Sequence, residues 1–491
     1  MDLRPCYEGF AGIPQEARLL FALLGRLHLG RLAGLASGIH FVTSKQHGRR
    51  DTSPFETTLQ QTRALIAQDT KRHHAPRGLS RLLPAGLRRG VPQAYMLAAY
   101  AGRTEKLDLP IDPTVFEDFL WTRLFENTLA PSEMSLLRRA EFFATEIGHE
   151  NARHLSFLPL PLQRRVDTSA WDVFFGCTVS PYRVSPNTAM IIRYYDPLPL
   201  LSPHTVGEPW QHANSHARML SRNMAQGAHF VCGSEPIRED LLRLFPKAEK
   251  RVHTLPCLVA PEYQPDARPA AELRAVLTRR ASPATAGKGA AAIPPATLPR
   301  LIMAVSTLEP RKNYQRLFRA FEIARRRTTQ PIQLLVVANP GWRSEAELAQ
   351  LKILVAEGAY HLSAVPLPEL RMLYSMAHLV VAPSRAEGFD YSGIESMACG
   401  TPVLASDTAV HRWVYGNAAE YVDPYDADAM AERIATLADL PRDEGRLADM
   451  RTTGLKQAAL YQTTTLQPRW ENMVLDILAQ RRTNAAVSSA A

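Results

Sequence analysis

From Leu301 onward the chain alternates short apolar runs with amphipathic ones. "LIMAVS" (301–306) is a continuous apolar run of strand length, and "NYQRLFRAFEIARRR" behind it sets Leu317, Phe321 and Ala324 on one helical face. "IQLLVVA" from Ile332 repeats the strand pattern, "LPELRMLYSMA" predicts a helix and "HLVVAPS" a strand. A helix entered at Ser392 stops at Gly400 with Pro402 behind it, and "PVLAS" predicts a further strand. Strands alternating with helices in this way predict an α/β domain with a parallel sheet covered on both faces, whose ligands sit beyond the carboxyl ends of the strands. The loops "STLEPRKN" and "SRAEGFD" both occupy such ends.

The first half carries a weaker version of the pattern. "AMIIRYYD" (189–196) and "HFVCGSE" (229–235) predict strands that run into polar loops, with the helix "WQHANSHARMLSRNMAQGA" between them. "LLFALLGRLHLGRLAGLA" (19–36) is apolar but interrupted by Arg26, His28 and Arg31, and the residues before it do not form a short basic leader. It predicts a core helix after a glycine loop, so any membrane contact is expected to be peripheral. "ASPATAGKGAAAIPPATLP" (281–299) has the composition of a linker. The expected organisation is a domain over 1–265, a linker over 266–299, a second domain over 300–460, and over 461–491 the helix "PRWENMVLDILAQRR" followed by a disordered tail, "TNAAVSSAA".

Composition narrows the chemistry. The 491 residues have a formal net charge of +9, which favours anionic partners. Residues 45–90 hold ten Lys or Arg against three acids, either a solvated face or a docking surface for an anionic membrane or glycolipid. That run lacks interleaved aromatic residues, so nucleic acid is not an expected partner. Five scattered cysteines with no C-x-x-C pair indicate a reducing compartment, and a cytoplasmic location follows. His73 and His74 have no neighbouring ligands for zinc. Asp426 and Asp428 stand in D-x-D spacing but precede "AMAERIATLADL", where acids cap a helix start.

Two glutamates, Glu387 and Glu395, stand seven residues apart across the second loop and its helix. Glu395 has an ordinary explanation in the capping box Ser392-x-x-Glu395. Glu387 has none. In the other loop Arg311 and Lys312 precede a helix start that Asn313 is placed to cap, which makes a site for a diphosphate or an exposed turn of solvated charges. A pair of carboxylates also suits a glycoside hydrolase, but hydrolysis leaves Arg311 and Lys312 without a part.

With these motifs, "EPRKN" followed by "PSRAEGFDYSGIESMACGTPVLAS", the sequence over 301–440 resembles the family 4 glycosyltransferases of the GT-B fold and their E-x7-E donor site. The resemblance implies two Rossmann-like domains facing a central cleft, and transfer of a sugar from a nucleoside diphosphate donor with retention of configuration and no metal cofactor. It implies that Arg311 and Lys312 hold the diphosphate, Glu387 the sugar hydroxyls and Glu395 the ribose. The main chain at Gly388, Phe389, Asp390 and Tyr391, together with Ser306, would complete the donor site. "GFAGIPQEARLLF" is similar to the family's glycine loop, which makes Gly9, Gly12 and Ile13 candidate phosphate contacts, with Pro14 where a glycine is more usual; the alternative is a tight turn that opens a helix. "RYYDPLPLLSPHT" is similar to a segment that often reads R-Y-H-D, so Asp196 is retained, either as a site residue or as the start of a turn before Pro197, and Tyr195 replaces a histidine. The same segment suggests a GDP-linked, mannose-type donor. The acceptor implied is a polysaccharide or lipid-linked glycan at the cytoplasmic face of the inner membrane. The rival reading is a nucleotide-sugar-binding relative without transfer activity, for which Tyr195 is the suggestive departure.

Overall fold

The computed structural model describes residues 1–10, 12–27, 29–36, 53–69, 104–107, 110–144, 149, 152–153, 164–280 and 299–490. Most of the basic run at 45–90, with His73 and His74, and the linker over 281–298 lie outside the described residues.

In the first half, β1 (Ala33–Ala36), β2 (Pro110–Ile111) and β3 (Glu141–Ala144) form one sheet, with β1 parallel and β2 antiparallel to β3. Strands β4 (Val173–Gly176), β5 (Ala189–Tyr194), β6 (His229–Cys232) and β7 (Val252–Thr254) form a parallel sheet in consecutive order. Asp2 joins the two, bridging Leu35 of β1 and donating its N–H to the Phe175 carbonyl of β4 at 2.8 Å. Strand β5 is buried along its whole length, as a strand covered on both faces must be.

In the second half, β8 (Arg300–Val305), β9 (Ile332–Val337), β10 (Tyr360–Leu362), β11 (Leu379–Ala382), β12 (Val403–Ser406) and β13 (Ala419–Val422) form one parallel sheet in the order β10-β9-β8-β11-β12-β13. This is the doubly wound order, with its reversal between β8 and β11. The loops that follow those two strands are "STLEPRKN" and "SRAEGFD". The loops after β5 and β6 face the loop after β11, so the carboxyl ends of both sheets meet across a cleft, the α/β arrangement expected of GT-B.

The main helices are α1 (Ile13–Arg26), α2 (Pro209–Ala225), α3 (Tyr314–Arg327), α4 (Tyr391–Ala398), α5 (Ala409–Tyr415), α6 (Ala427–Asp439) and α7 (Thr463–Ala490). The apolar run at 19–36 is not one helix. Helix α1 ends at Arg26, Leu27 is extended, Gly30 takes φ 124°, and 33–36 is strand β1. A buried helix and a buried strand are equally apolar, so hydrophobicity alone did not mark the break. Nor is the tail irregular: α7 continues to Ala490, because alanines extend a helix already held by packing. Trp470 of α7 is fully buried, 5.7 Å from the Phe175 ring of the first domain. Among the described residues no helix is long and apolar enough to cross a membrane.

Candidate functional site

The two loops at the sheet's reversal close on each other through charge. Arg311 donates from Nη1 to Glu387 Oε2 at 2.7 Å and to the Ala386 carbonyl at 3.1 Å, while Lys312 Nζ reaches Glu387 Oε1 at 2.5 Å. Burial works against the Glu387 anion, but the two cations outweigh it and hold its pKa below the ordinary value. Burial likewise disfavours the Arg311 cation, and Glu387, Glu309 and Asp196 together override it. Asn313 does begin α3, but in the left-handed region at φ 63° and without a side-chain cap. Its Nδ2 instead donates to the carbonyls of Pro383 and Pro424, at 3.0 and 2.8 Å. Its Oδ1 accepts from Arg316 Nη1 at 3.0 Å, so the side chain ties the two loops to α3 instead of capping the helix.

The capping box at Ser392 does not form either. Asp390 is the N-cap of α4 and accepts from the N–H and hydroxyl of Ser392 at 3.1 and 2.7 Å. Behind it His411 donates from Nδ1 to the Ser406 carbonyl at 2.8 Å and places Nε2 3.2 Å from Asp390 Oδ2. Burial opposes both charges, yet each supports the other: the His411 pKa is raised and that of Asp390 is held far below the carboxylate range. Glu395 is thereby free of the helix start. It accepts from Gln15 Nε2 at 3.0 Å and from the Tyr374 hydroxyl at 3.1 Å. Surrounded by neutral donors, it is pushed up by burial to about 7. Asp426, by contrast, caps α6 as expected, accepting from Ala429 N–H at 2.9 Å.

The first domain supplies the facing wall. Gly12 takes φ 70° immediately before α1, and Ile13 opens the helix. Arg18 fixes this glycine loop with five hydrogen bonds, to the carbonyls of Cys6, Glu8, Gly9 and Leu124 and to Thr128 Oγ1. Fully buried Glu16 pairs with Arg193 at 3.0 Å and accepts from the Tyr391 hydroxyl of α4 at 2.8 Å. Gly388 lies so close to the loop after β5 that a Cβ there would stand 2.1 Å from the Tyr195 carbonyl oxygen. Ser234 donates to the Gly388 carbonyl at 3.0 Å.

Two cavities lie along this seam. One of about 510 Å³ is lined by Ile13, Tyr195, Asp196, Glu309, Arg311 and Trp342. The other, of about 140 Å³, is lined by Phe10, Gln15, Tyr263, Ser306, Asn339 and Val365. Asp196 is raised in pKa by burial, against the pull of Arg311, and also accepts from Leu198 N–H at 3.0 Å, so it starts the turn and faces the cavity together. The Tyr195 hydroxyl is buried without a hydrogen-bond partner among the described residues. Ser306 donates to the Tyr314 hydroxyl at 2.9 Å, and Phe389 packs its ring against Tyr391 and Tyr461. Among the described residues no group of His, Cys, Asp and Glu is arranged to hold a metal.

Sequence reasoning did not single out Gln15, Glu16, Arg18, Arg193, Tyr374 or His411. The signal for the first three was there: polar residues inside the otherwise apolar start of α1, directly after a glycine loop.

Residues 291–455 match the family described as Glycosyl transferases group 1. Over 270 residues the chain is 28% identical to "O-antigen chain mannosyltransferase B" of Escherichia coli, a stretch covering 54% of this chain and 64% of that one. Over 163 residues it is 30% identical to "GDP-mannose-dependent alpha-(1-6)-phosphatidylinositol monomannoside mannosyltransferase" of Mycolicibacterium smegmatis, covering 31% and 42%. The chain thus spans less than two thirds of the length of these curated relatives. A solved structure of Anabaena HepE in complex with UDP-glucose is 14% identical, with a TM-score of 0.47 over 62% of this chain and 79% of that one.

Proposed function

We propose, from the match of residues 291–455 to the Glycosyl transferases group 1 family and from the geometry of the site, that the protein moves a mannose-type hexose from a nucleoside diphosphate sugar to a glycan or lipid-linked acceptor, with retention. The observation that carries this reading is the clasp of Arg311 and Lys312 on Glu387 at the sheet's reversal, facing Asp196. A donor diphosphate is a stronger anion than one carboxylate, so it takes over both cations and releases Glu387 to accept sugar hydroxyls. The C1–phosphate bond breaks as the acceptor oxygen bonds C1 on the same face. The acceptor's proton passes to the departing phosphate oxygen, whose growing charge Arg311 and Lys312 stabilise. Glu395 takes the ribose, and Gly12, Ile13 and the main chain at 388–391 line the phosphates and sugar. Asp196, with its raised pKa, lies on the acceptor side. The mannose-type donor, GDP-linked, is supported by the similarity to the two mannosyltransferases, one of them GDP-mannose-dependent, and the net charge of +9 supports peripheral contact with an anionic membrane from the cytoplasm.

Nucleoside diphosphate should raise the melting temperature of the parent and barely that of the Arg311→Ala, Lys312→Ala double variant. With a panel of nucleotide sugars and a lipid-linked acceptor extract, the parent should release diphosphate as glycan product forms, with the donor's anomeric configuration kept in the product. Equal thermal shifts in both proteins would remove the diphosphate assignment. Binding without release in the presence of acceptor would remove transfer.

A further inference from the structure

Gln15 belongs to the first domain, yet its side chain ends on the carboxylate of Glu395 in the second, at 3.0 Å. The amide is oriented by this contact: Nε2 donates to Glu395 Oε1 and the amide's own Oε1 faces away from it. That Oε1 is buried and has no hydrogen-bond partner among the described residues, in a side chain only 2% exposed that lines the 140 Å³ cavity. An unpaired buried carbonyl carries a desolvation cost that an apolar residue would avoid. The position is held firmly. Its neighbour Glu16 is tied to Tyr391 and to the Leu258 N–H at 2.8 and 2.7 Å, and Arg18 anchors the same turn of α1.

We infer that Gln15 is a positioning and specificity residue that completes the nucleotide site across the cleft, its Oε1 accepting one hydroxyl of a ribose whose other hydroxyl is accepted by Glu395. Held together through Nε2, the amide oxygen and the carboxylate offer two acceptors for the two O–H donors of a vicinal diol. The inference rests on the reading of Glu395 as the ribose acceptor. It makes the complete donor site depend on the two domains being closed on each other, since neither domain alone holds both acceptors.

The test measures, by calorimetry, the affinity of the parent and Gln15→Met for a nucleoside diphosphate and for its 2′-deoxy and 3′-deoxy counterparts. The parent should bind the full ribose several-fold to about tenfold more tightly than the deoxy form lacking the hydroxyl that Gln15 accepts, the worth of one neutral hydrogen bond. Gln15→Met should weaken the ribonucleotide by a similar factor and bring that one ratio close to unity. In transfer assays the loss should fall on KM rather than kcat. If Gln15→Met does not fold, Gln15→Asn keeps the amide but withdraws it by one methylene and is read in the same way. Equal weakening of all three ligands, or no change in any, overturns the inference and leaves the diphosphate site standing. A parent that binds none of the three overturns the donor site itself, and the inference with it.

Discussion

Glu387 and Glu395 are both buried and belong to one loop and helix, but their protonation is driven in opposite directions. Burial disfavours both anions. At Glu387 the cations Arg311 and Lys312 outweigh it, whereas at Glu395 the donors Gln15 and Tyr374 are neutral, and burial prevails to give about 7. The linkage signs differ accordingly. Glu395 contributes stability that is fully present below its unfolded value of 4.5 and lost as pH rises through about 7. Glu387 contributes stability present above 4.5 and lost as pH falls through its lowered folded value. Since the ionised carboxylate is the better acceptor for hydroxyls, donor affinity should rise with pH as Glu395 ionises near 7. Glu395→Gln should flatten that rise and lower affinity by roughly tenfold, the loss of one charged hydrogen bond. Titrating donor affinity against pH for both proteins checks this, and an unchanged pH profile in the variant would assign the titration to another group.

At the scale of elements, the loop after β11 depends on having no side chain at Gly388. A Cβ there would stand 2.1 Å from the Tyr195 carbonyl oxygen and 2.9 Å from its carbon, backbone atoms that no rotamer change can move aside. Gly388→Ala should therefore separate the loops after β5 and β11. Because transfer requires donor and acceptor to be held within a fraction of an ångström, activity should fall by roughly 100-fold. Each domain's secondary structure should remain, as read by circular dichroism, while small-angle scattering reports a wider cleft. Full activity in the alanine variant would mean that transfer takes place with the loops apart. The same unit shows how far its residues were legible. Placing Arg311, Lys312 and Glu387 beyond strand ends needed only the lengths of the apolar runs. The choice of Asp390 over Glu395 as the partner of Ser392 did not follow from spacing, since both carboxylates lie within reach of that helix start. It followed from Gln15 and Tyr374, which reach Glu395 from elsewhere in the chain.

For the whole molecule, the returning helix α7 is part of the first domain's core rather than an appendage of the second. Trp470 is fully buried between Phe175 of β4 and Arg193, whose guanidinium lies 5.6 Å from its ring, and Val259 N–H donates to Tyr461 at 3.0 Å just before α7 begins. Trp470→Ala should cost about 3–5 kcal/mol, the usual range for deleting a large core aromatic ring. Through Arg193 and its partner Glu16, the variant should also loosen the contact of α1 with α4. Denaturant unfolding followed at both domains checks this, and loss of stability confined to the second domain would contradict the packing.

What the sequence determined by itself is local and periodic. Alternating apolar runs and helical faces specified the parallel strands that begin at β8, and strand ends specified which loops bear Arg311, Lys312 and Glu387. A period of two or of 3.6 residues states which side of an element is buried, and strong patterns such as β5 and β8 leave little choice. What tertiary structure decided is which distant group meets each buried polar atom. Gln15 and Glu395 are 380 residues apart, and Glu16 and Tyr391 are 375 apart. Whether a buried carboxylate is charged, capped or poised near neutrality depends on the donors that other segments bring to it, because desolvation is a cost only a partner can offset. That partner is set by how the two domains close, and no local pattern encodes it.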